Sequence, residues 1–567
     1  MSRRPSSREP SRPAGIRPLL VLALDGATFD VIRPLAAAGR LPNLARWIDE
    51  GNAGTLASTT PPVTFPAWTT FMTGLSPGHH GVFDFTQKVP GAYRIRFVNA
   101  SDRVGETVFA GAARAGGRVL VLGMPASHPV EQLPGLFVPG FDAPVSTGSD
   151  AEATSDPDLY RRIAARAGPW MRPDIDESAQ GDDFAERAVG TLLARIERKK
   201  RFALAALDEM KRRDGVRPDL VTIVFAESDT VGHHYWRDHD PKSPRHDPAA
   251  SPARRDAIAA VYGALDTACG EIRDAYGDDA ACLVVSDHGM GGAAREIVHL
   301  NRHLRDCGLL ARRSERATAF DALARTARDT ALRVLPPALA QRIFRRARGA
   351  AARLEGAARF GGIDWSRTLA FSEEANTLPG VWINLAGREA AGCVAPGDYE
   401  KTRDRVIDAL AGWRLPDGGP VVARAVRREE VYSGPFVDRA PDVLVELALS
   451  RGYGLSLVPT PWAAATSDSV RTLSEGELAG GRGRGMNGTH RSDGILIDVR
   501  NDANDEQEPR NPALPARLAD VAPLMANLMG LDWQPAAASP GDGQRRDYTD
   551  EEDAIVAGRL RALGYLE

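Results

Sequence analysis

The sequence predicts an α/β fold in which helices cover both faces of a mostly parallel β-sheet. Three short aliphatic runs, Leu19–Leu24, Leu220–Phe225 and Ala281–Val285, are typical of strands that are buried on both faces. Each run is followed by polar residues that include an aspartate. Helical patterns alternate with the runs, over 41–50, 184–211 and 254–275.

Weaker patterns complete the chain. The remaining strands are predicted over 54–57, 118–122, 442–447 and 494–499, and the remaining helices over 106–115, 399–413 and 518–529. Gly51 and Gly530 end two of the helices. The stretch 142–183 is expected to form loop with short elements, and the proline- and charge-rich stretch 238–252 a loop.

Composition excludes several classes of protein. The chain has 567 residues, of which 43% are hydrophobic and 26% charged, and its net charge is −4. These values are ordinary for a globular protein and do not indicate a nucleic-acid or anionic-membrane partner. No apolar run is long enough to span a membrane. The four cysteines show no paired spacing, and the N-terminus lacks the apolar core of a signal peptide, so we expect a cytoplasmic protein.

Changes in composition suggest a catalytic domain with one insertion. We expect a disordered leader at 1–17, the two parts of the catalytic domain at 18–299 and 364–535, an Arg/Ala-rich helical insertion at 300–363, and a linker with a docked C-terminal helix at 536–567. The insertion is interpreted as a solvated helical segment, with a cap whose arginines meet an anionic substrate as the alternative. Thr549 and Glu552 form a capping-box pattern at the start of the last helix.

Candidate metal ligands lie at the ends of the predicted strands. Carboxyl ends of parallel strands form the ligand-binding edge of an open α/β sheet. A single Asp–His pair is most often structural, but several at strand ends indicate a metal site. The six candidates, with the last in a glycine-rich loop, are Asp25, Asp229, His233, Asp287, His288 and His490. Mixed Asp/His sets suit zinc, with manganese as the alternative.

Thr64 is the candidate nucleophile. In Thr64-Phe65-Pro66 the proline fits a first helical turn, which puts Thr64 at or near the N-cap. The N-terminus of a helix favours phosphate, and coordination to a metal would activate the hydroxyl. Two metals could then hold the attacking and leaving oxygens of an in-line displacement. The alternative is that Thr64 only caps the helix.

Five stretches carry a resemblance to a known family: Asp25-Gly26, Thr64-Phe65-Pro66, 229–233, Ser286-Asp287-His288-Gly289-Met290 and Gly488-Thr489-His490. Their order and residues resemble the alkaline phosphatase superfamily over about 19–531. The most similar branch is the type I phosphodiesterase/nucleotide pyrophosphatase group, including its prokaryotic predicted phosphohydrolases and phosphomutases.

The resemblance implies a three-layer α/β/α sandwich and two divalent metal ions. On that basis Asp25, Asp287 and His288 bind the metal that also binds Thr64. The other metal is bound by Asp229, His233 and His490. The reaction would cleave a small phosphate ester, most simply a phosphodiester, through a phospho-threonine intermediate.

One departure from the family pattern leaves the substrate open. Ala67-Trp68 stands where the phosphodiesterase branch has Asn-His, which removes a donor to the phosphoryl oxygen. A phosphomonoesterase or phosphomutase is therefore an alternative, as is a catalytically inactive binding protein with this fold. His79 and His80, in a Pro-Gly-His-His-Gly stretch, are interpreted as a structural turn, with substrate contact as the alternative.

Overall fold

The computed structural model describes residues 15–144, 150–170, 182–313, 360, 362–460, 468–479, 484–499, 514–536 and 546–562. The predicted leader before residue 15 and most of the predicted insertion, 314–359, lie outside these ranges. Within them, no helix combines the length and the apolar content that crossing a bilayer requires.

The strands alternate with helices along much of the chain. The described strands are β1 (Leu19–Leu24), β2 (Asn52–Ala57), β3 (Thr86–Lys88), β4 (Ile95–Phe97), β5 (Val119–Met124), β6 (Gly135–Pro139), β7 (Leu220–Phe225), β8 (Ala281–Val285), β9 (Gly289–Val298), β10 (Ala370–Phe371), β11 (Gly380–Ile383), β12 (Val422–Arg427), β13 (Val443–Leu447), β14 (Leu449–Ser450), β15 (Tyr453–Leu457), β16 (Val470–Thr472), β17 (Gly488–Arg491) and β18 (Asp493–Asp498).

The described α-helices are α1 (Phe29–Ala37), α2 (Pro42–Glu50), α3 (Thr64–Thr73), α4 (Pro77–His80), α5 (Val108–Arg114), α6 (Pro157–Ala167), α7 (Asp182–Asp214), α8 (Glu227–His239), α9 (Pro252–Tyr276), α10 (Leu300–Asp306), α11 (Tyr399–Ala411), α12 (Val521–Met529) and α13 (Asp550–Ala562).

A seven-stranded sheet forms the centre of the molecule, in the order β2–β18–β8–β1–β7–β5–β6. The strands β8, β1, β7, β5 and β6 are parallel, whereas β18 runs antiparallel to both β8 and β2. Leu19 lies beside Leu220 on one side and Ala281 on the other, so β1, β7 and β8 end at nearly the same level. The predicted mostly parallel sheet is confirmed.

Helices cover both faces of this sheet. Alternate side chains of β1 point to opposite faces, as the two-residue period of a strand requires. Leu20 and Leu22 pack in a core with α2, α7 and α9, whereas Val21 and Ala23 pack in a second core with α3, α5 and α12. All of these strand residues are fully buried. The result is the expected three-layer α/β/α sandwich.

Smaller sheets lie beyond the carboxyl ends of the central strands. β10–β11–β13–β12 form an antiparallel sheet, and β14–β15–β9–β16 form a mixed sheet in which β17 also pairs with β9. β9 has no strand pattern in the sequence, since its first four residues include Gly289, Gly291 and Gly292, and glycine disfavours strands. Pairing with three neighbours overrides that preference. β9 begins directly after His288, so the mixed sheet adjoins the candidate site.

The chain between β6 and α7 is more helical than expected. The stretch 142–183 was predicted as loop with short elements, but it contains α6, which is eleven residues long. Asp156 caps this helix by accepting a hydrogen bond from the Leu159 backbone N–H at 2.9 Å. Only Leu159, Tyr160 and Ile163 are buried, so the apolar signal in the sequence is weak.

Candidate active site

Three neighbouring parallel strands position the candidate acidic residues. Asp25 directly follows β1, and Asp287 lies in the short turn between β8 and β9. Asp229 lies in the first turn of α8, the helix that follows β7. Because β1, β7 and β8 are adjacent, their carboxyl ends form one edge, and the structure brings the three carboxylates together there.

The spacing of Asp229 and His233 is helical. The two residues lie one turn apart in α8, so both side chains face the same direction. Gly26 makes room for this helix, because a Cβ at its position would lie 2.9 Å from Asp229 Oδ1. Gly26 also has a positive φ of 64°, which glycine adopts without strain.

His490 reaches the site from a strand, which corrects the predicted loop. It lies in β17, where it pairs with Met290 of β9. The glycine beside it permits a close approach of chains: a Cβ on Gly488 would lie 2.4 Å from the carbonyl oxygen of Gly232 in α8. In this segment glycine therefore indicates tight packing of a strand against a helix, and not a loop.

The six candidate ligands form two groups of three. One group is Asp25, Asp287 and His288, and the other is Asp229, His233 and His490; within each group the potential ligand atoms lie within 4.8 Å of one another. These are the two sets that the family resemblance implied.

The distances between the candidate ligand atoms of each group are compatible with one metal ion bound by all three residues. In the first group His288 Nε2 lies 3.6 Å from Asp25 Oδ1 and 3.4 Å from Asp287 Oδ2. In the second, the Nε2 atoms of His233 and His490 each lie 3.3 Å from Asp229 Oδ1.

Backbone carbonyls fix the orientation of all three imidazoles. Nδ1 of His288 donates to the Gly289 oxygen at 3.0 Å and that of His233 to the Gly488 oxygen at 2.9 Å, while Nδ1 of His490 donates to the Pro62 oxygen at 2.8 Å. A carbonyl oxygen only accepts, so Nδ1 carries the proton and a neutral ring presents the Nε2 lone pair to the site. Such outer hydrogen bonds are typical of histidines that ligate metals.

The geometry fits cations at the centre of both groups. The Nε2 atoms of His233 and His490 lie 2.9 Å apart, and two lone pairs at this distance repel unless a cation lies beside them. In the first group Asp25 Oδ1 and Asp287 Oδ2 are buried, and no side chain or backbone group in the described part of the chain donates a hydrogen bond to them. Buried carboxylate oxygens of this kind are compensated by protons or metal ions.

Electrostatics supports the same conclusion. Burial, followed by the nearby charge of Asp229, raises the pKa of Asp25 to about 8. Burial and then Asp25 raise the pKa of Asp287 well above its usual value. Burial also lowers the pKa of His288 and His490, which favours neutral rings. Without added positive charge the carboxylates cannot all remain ionised, whereas divalent cations stabilise them in that state.

Thr64 is the first residue of α3 and is fully buried. Its Oγ1 lies 3.5 Å from His288 Nε2, so the hydroxyl faces the first group. Val63 occupies the N-cap position, and no side chain caps the helix there. Thr64 therefore lies one residue further into the helix than the N-cap position.

Trp68 contacts a candidate metal ligand. From the sequence alone, Ala67-Trp68 indicates only the loss of a hydrogen-bond donor to the phosphoryl oxygen. Trp68 lies one helical turn after Thr64, and its Nε1–H donates to Asp25 Oδ2 at 3.1 Å. This bond occupies one carboxylate oxygen and leaves Oδ1 directed at His288. The four-residue spacing from Thr64 was the signal available in the sequence, because it places both residues on one face of a helix.

His79 and His80 hold the turn at α4. His80 shares a hydrogen bond with the Thr70 hydroxyl at 3.0 Å and accepts one from the Val82 N–H at 3.1 Å. His79 shares one with the Ser76 hydroxyl at 2.9 Å. Burial lowers the pKa of His80 to about 3, so its ring remains neutral. These contacts agree with the structural interpretation of the turn.

Solved structures provide distant comparisons. Phosphonoacetate hydrolase from Sinorhizobium meliloti 1021, solved with phosphonoformate and with phosphonoacetate, is 16% identical, with a TM-score of 0.49 over 91% of this chain and 96% of that one. Human ectonucleotide pyrophosphatase/phosphodiesterase 5 is 11% identical, with a TM-score of 0.46 over 92% of this chain and 96% of that one. No curated protein sequence matches the chain.

A family model gives the assignment. The model for type I phosphodiesterase/nucleotide pyrophosphatase matches residues 19–453, which is more than half of the chain. The matched range includes Thr64 and every candidate ligand except His490. The protein therefore belongs to the type I phosphodiesterase/nucleotide pyrophosphatase family of the alkaline phosphatase superfamily, a family of phosphoester hydrolases.

Proposed function

We propose that the protein is a metal-dependent phosphodiesterase in which Thr64 is the nucleophile. One observation carries the proposal: the Thr64 hydroxyl lies 3.5 Å from His288 Nε2, at the edge of a cluster of six buried or nearly buried Asp and His side chains. A hydroxyl at this position adjoins the first group, whose bound ion would activate it.

The residues fit two divalent ions, zinc with manganese as the alternative. Asp25, Asp287 and His288 would hold the first together with Thr64, and the remaining three candidate ligands would hold the second. Bound ions would supply Lewis-acid chemistry, which lowers the pKa of the hydroxyl and stabilises charge on phosphoryl and leaving oxygens.

The chain's own residues account for the remaining steps. Thr64 Oγ1 attacks phosphorus, so an O–P bond forms while the bond from phosphorus to the leaving oxygen breaks. The hydroxyl proton passes to solvent, and the leaving alkoxide takes a proton from solvent and departs as the alcohol. Water then attacks the phospho-threonine, releases the phosphate monoester and restores the hydroxyl. The N-terminal end of α3 also favours the negative charge of a phosphoryl group, because the helix dipole is positive there.

Charge balance favours a diester. The two groups contain three carboxylates, with a formal charge of −3, and two divalent ions add +4. While the Thr64 hydroxyl is still protonated, the resulting single positive charge matches a phosphodiester monoanion, whereas a phosphate monoester is largely dianionic at neutral pH. This balance counts the three histidines as neutral, in keeping with their hydrogen bonds to carbonyl oxygens.

Metal analysis and a substrate panel test the proposal. We expect two zinc or manganese ions per chain, and hydrolysis of p-nitrophenyl diesters that exceeds hydrolysis of p-nitrophenyl phosphate and disappears with chelator. A preference for the monoester would instead support the phosphomonoesterase alternative. Two bound metals without turnover of any ester would support the inactive binding protein.

Thr64 variants test the nucleophile. Thr64→Ala is expected to lower kcat at least about 1,000-fold while retaining both metals, because removal of a nucleophile eliminates the covalent route. Thr64→Ser keeps a hydroxyl and serves as the matched control, with activity well above that of Thr64→Ala. Full metal-dependent turnover in Thr64→Ala would show that another group attacks phosphorus.

A further inference from the structure

A pocket of about 360 Å³ opens beside the second group of candidate ligands. His233 and His490 line one end of it, and the segment Thr59 to Val63, which leads into Thr64, lines an adjacent wall. The remaining walls come mainly from β12, β13, β14, β15 and β17 of the smaller sheets and from the chain segments around Leu378 and Tyr432. The volume lies within the range of small-molecule sites, and its position gives it direct access to the proposed reaction centre.

The walls of the pocket are largely apolar. The side chains that form them include Leu378, Val426, Val431, Tyr432, Leu444 and Leu455. Tyr432 presents its ring, because its hydroxyl donates to the Thr60 carbonyl at 2.6 Å. Leu449, also part of the lining, is 54% exposed although it is a large apolar residue. Walls in which apolar side chains predominate are typical of sites that bind small molecules.

The cations around the pocket are already committed to other partners. Among the described lining residues the guanidinium groups are those of Arg424 and Arg491. The exposed Arg424 pairs with Glu446 at 3.3 Å, so that this carboxylate offsets its charge beside the pocket. Arg491 donates to the Thr489 hydroxyl at 2.6 Å, to the His490 carbonyl at 3.0 Å and to the Gly292 carbonyl at 2.9 Å. A second phosphate or a carboxylate on the ligand would have to displace these contacts.

We propose that this pocket binds an uncharged, apolar ester group of the substrate. The inference rests on the proposed phosphodiesterase function and specifies its substrate class: a phosphodiester with one alkyl, acyl or aryl substituent, and not an ester of a polyphosphate. The phosphoryl group lies at the candidate metal ligands, and the apolar group extends along the pocket wall that contains Tyr432 and Leu444.

Binding of n-alkylphosphonates to the metal-loaded protein tests the inference without requiring turnover. In a series from methyl to octyl, measured by calorimetry, the dissociation constant is expected to fall about fourfold per methylene until the pocket is filled, which corresponds to about 0.8 kcal/mol per CH2 group. A phosphonate of matched length that ends in a carboxylate is expected to bind at least about tenfold more weakly than its methyl-terminated counterpart, because the carboxylate loses its hydration.

Variants of the pocket wall test whether the rise in affinity with alkyl chain length arises in this pocket. Val431→Asp changes a half-buried wall residue, and Leu449→Asp, at an exposed position, keeps the test valid if Val431→Asp does not fold. Both should abolish most of the dependence of affinity on chain length. Ile407→Asp, at a half-buried position of α11 outside the pocket, is the control and should keep the full dependence.

The outcomes separate this inference from the proposed function. If methylphosphonate binds but affinity does not rise with chain length, or if the rise survives both pocket variants, the pocket assignment is wrong and the proposed reaction stands. If affinity rises with chain length but no phosphodiester is hydrolysed, the pocket assignment stands and the proposed function fails.

Discussion

Trp68→Phe removes the indole N–H that donates to Asp25 Oδ2 at 3.1 Å. The substituted ring still packs edge-on against Phe71, whose centroid lies 5.2 Å from that of Trp68. Asp25 is only 1% exposed, so water cannot replace the lost donor without entering the core. The substitution therefore tests how a bond outside the proposed coordination shell orients a candidate metal ligand.

The free energy lost with this hydrogen bond depends on the charge of its acceptor, the Asp25 carboxylate. A hydrogen bond to a charged group contributes about 1.5–3 kcal/mol, which corresponds to a change of roughly 10- to 100-fold in an equilibrium constant. Loss of outer hydrogen bonds weakens metal sites by about the same factor. We expect zinc affinity at the Asp25 group to fall by this amount, and the Asp229 group to retain its zinc.

Competition with a chromogenic chelator measures both affinities, and Trp47→Phe is the matched control. Trp47 is 2% exposed and lies in the core on the opposite face of the central sheet, so its replacement removes the same volume without touching Asp25. Equal loss of metal affinity in the two variants, or no loss in Trp68→Phe, would refute a positioning role. Thermal unfolding of both metal-free variants shows whether packing alone explains the result.

Other expectations follow from the same contacts. His490→Ala should bind one metal ion per chain instead of two, as measured by elemental analysis. The control His303→Ala, in α10, should bind both ions. Two bound ions in His490→Ala would exclude His490 as a ligand. Chelation should lower the unfolding temperature, because ligands bound at about 1,000 times Kd stabilise the native state by about 4 kcal/mol; an unfolding temperature that does not depend on metal would contradict this. Leu560→Ala in α13 should cost about 2–5 kcal/mol in urea unfolding and also lower kcat, because Leu560 packs in one cluster with Val63 and Phe65, on either side of the proposed nucleophile Thr64. A loss of stability without any effect on kcat would show that α13 does not support the active site.

The strands that form the site could be predicted because their signal is local. β1, β7 and β8 are short, nearly continuous apolar runs, which is the pattern typical of parallel strands buried on both faces. The carboxyl ends of parallel strands meet at one edge of a sheet. Once these three runs are assigned as parallel strands, Asp25, Asp229 and Asp287 are therefore expected at the same edge. Their pairing into two sets came from the family resemblance, since spacing along the chain does not specify which imidazole meets which carboxylate.

The remaining features depend on contacts distant in sequence. β9 and β17 contain glycines that disfavour strands locally, and only their pairing with each other and the approach of α8 explain them. Trp68 lies 43 residues from Asp25, so its hydrogen bond depends on how α3 packs against β1. The apolar pocket likewise needs the smaller sheets to meet the segment before Thr64, which no local pattern indicates.

The stereochemical course at phosphorus tests the central claim most directly. One enantiomer of a phosphorothioate p-nitrophenyl diester is hydrolysed by the wild-type protein in isotopically labelled water, and the configuration of the product is determined. Attack by Thr64 followed by attack of water on phospho-threonine involves two in-line displacements and predicts net retention. Net inversion would show a single direct attack by water and would contradict the assignment of Thr64 as the nucleophile.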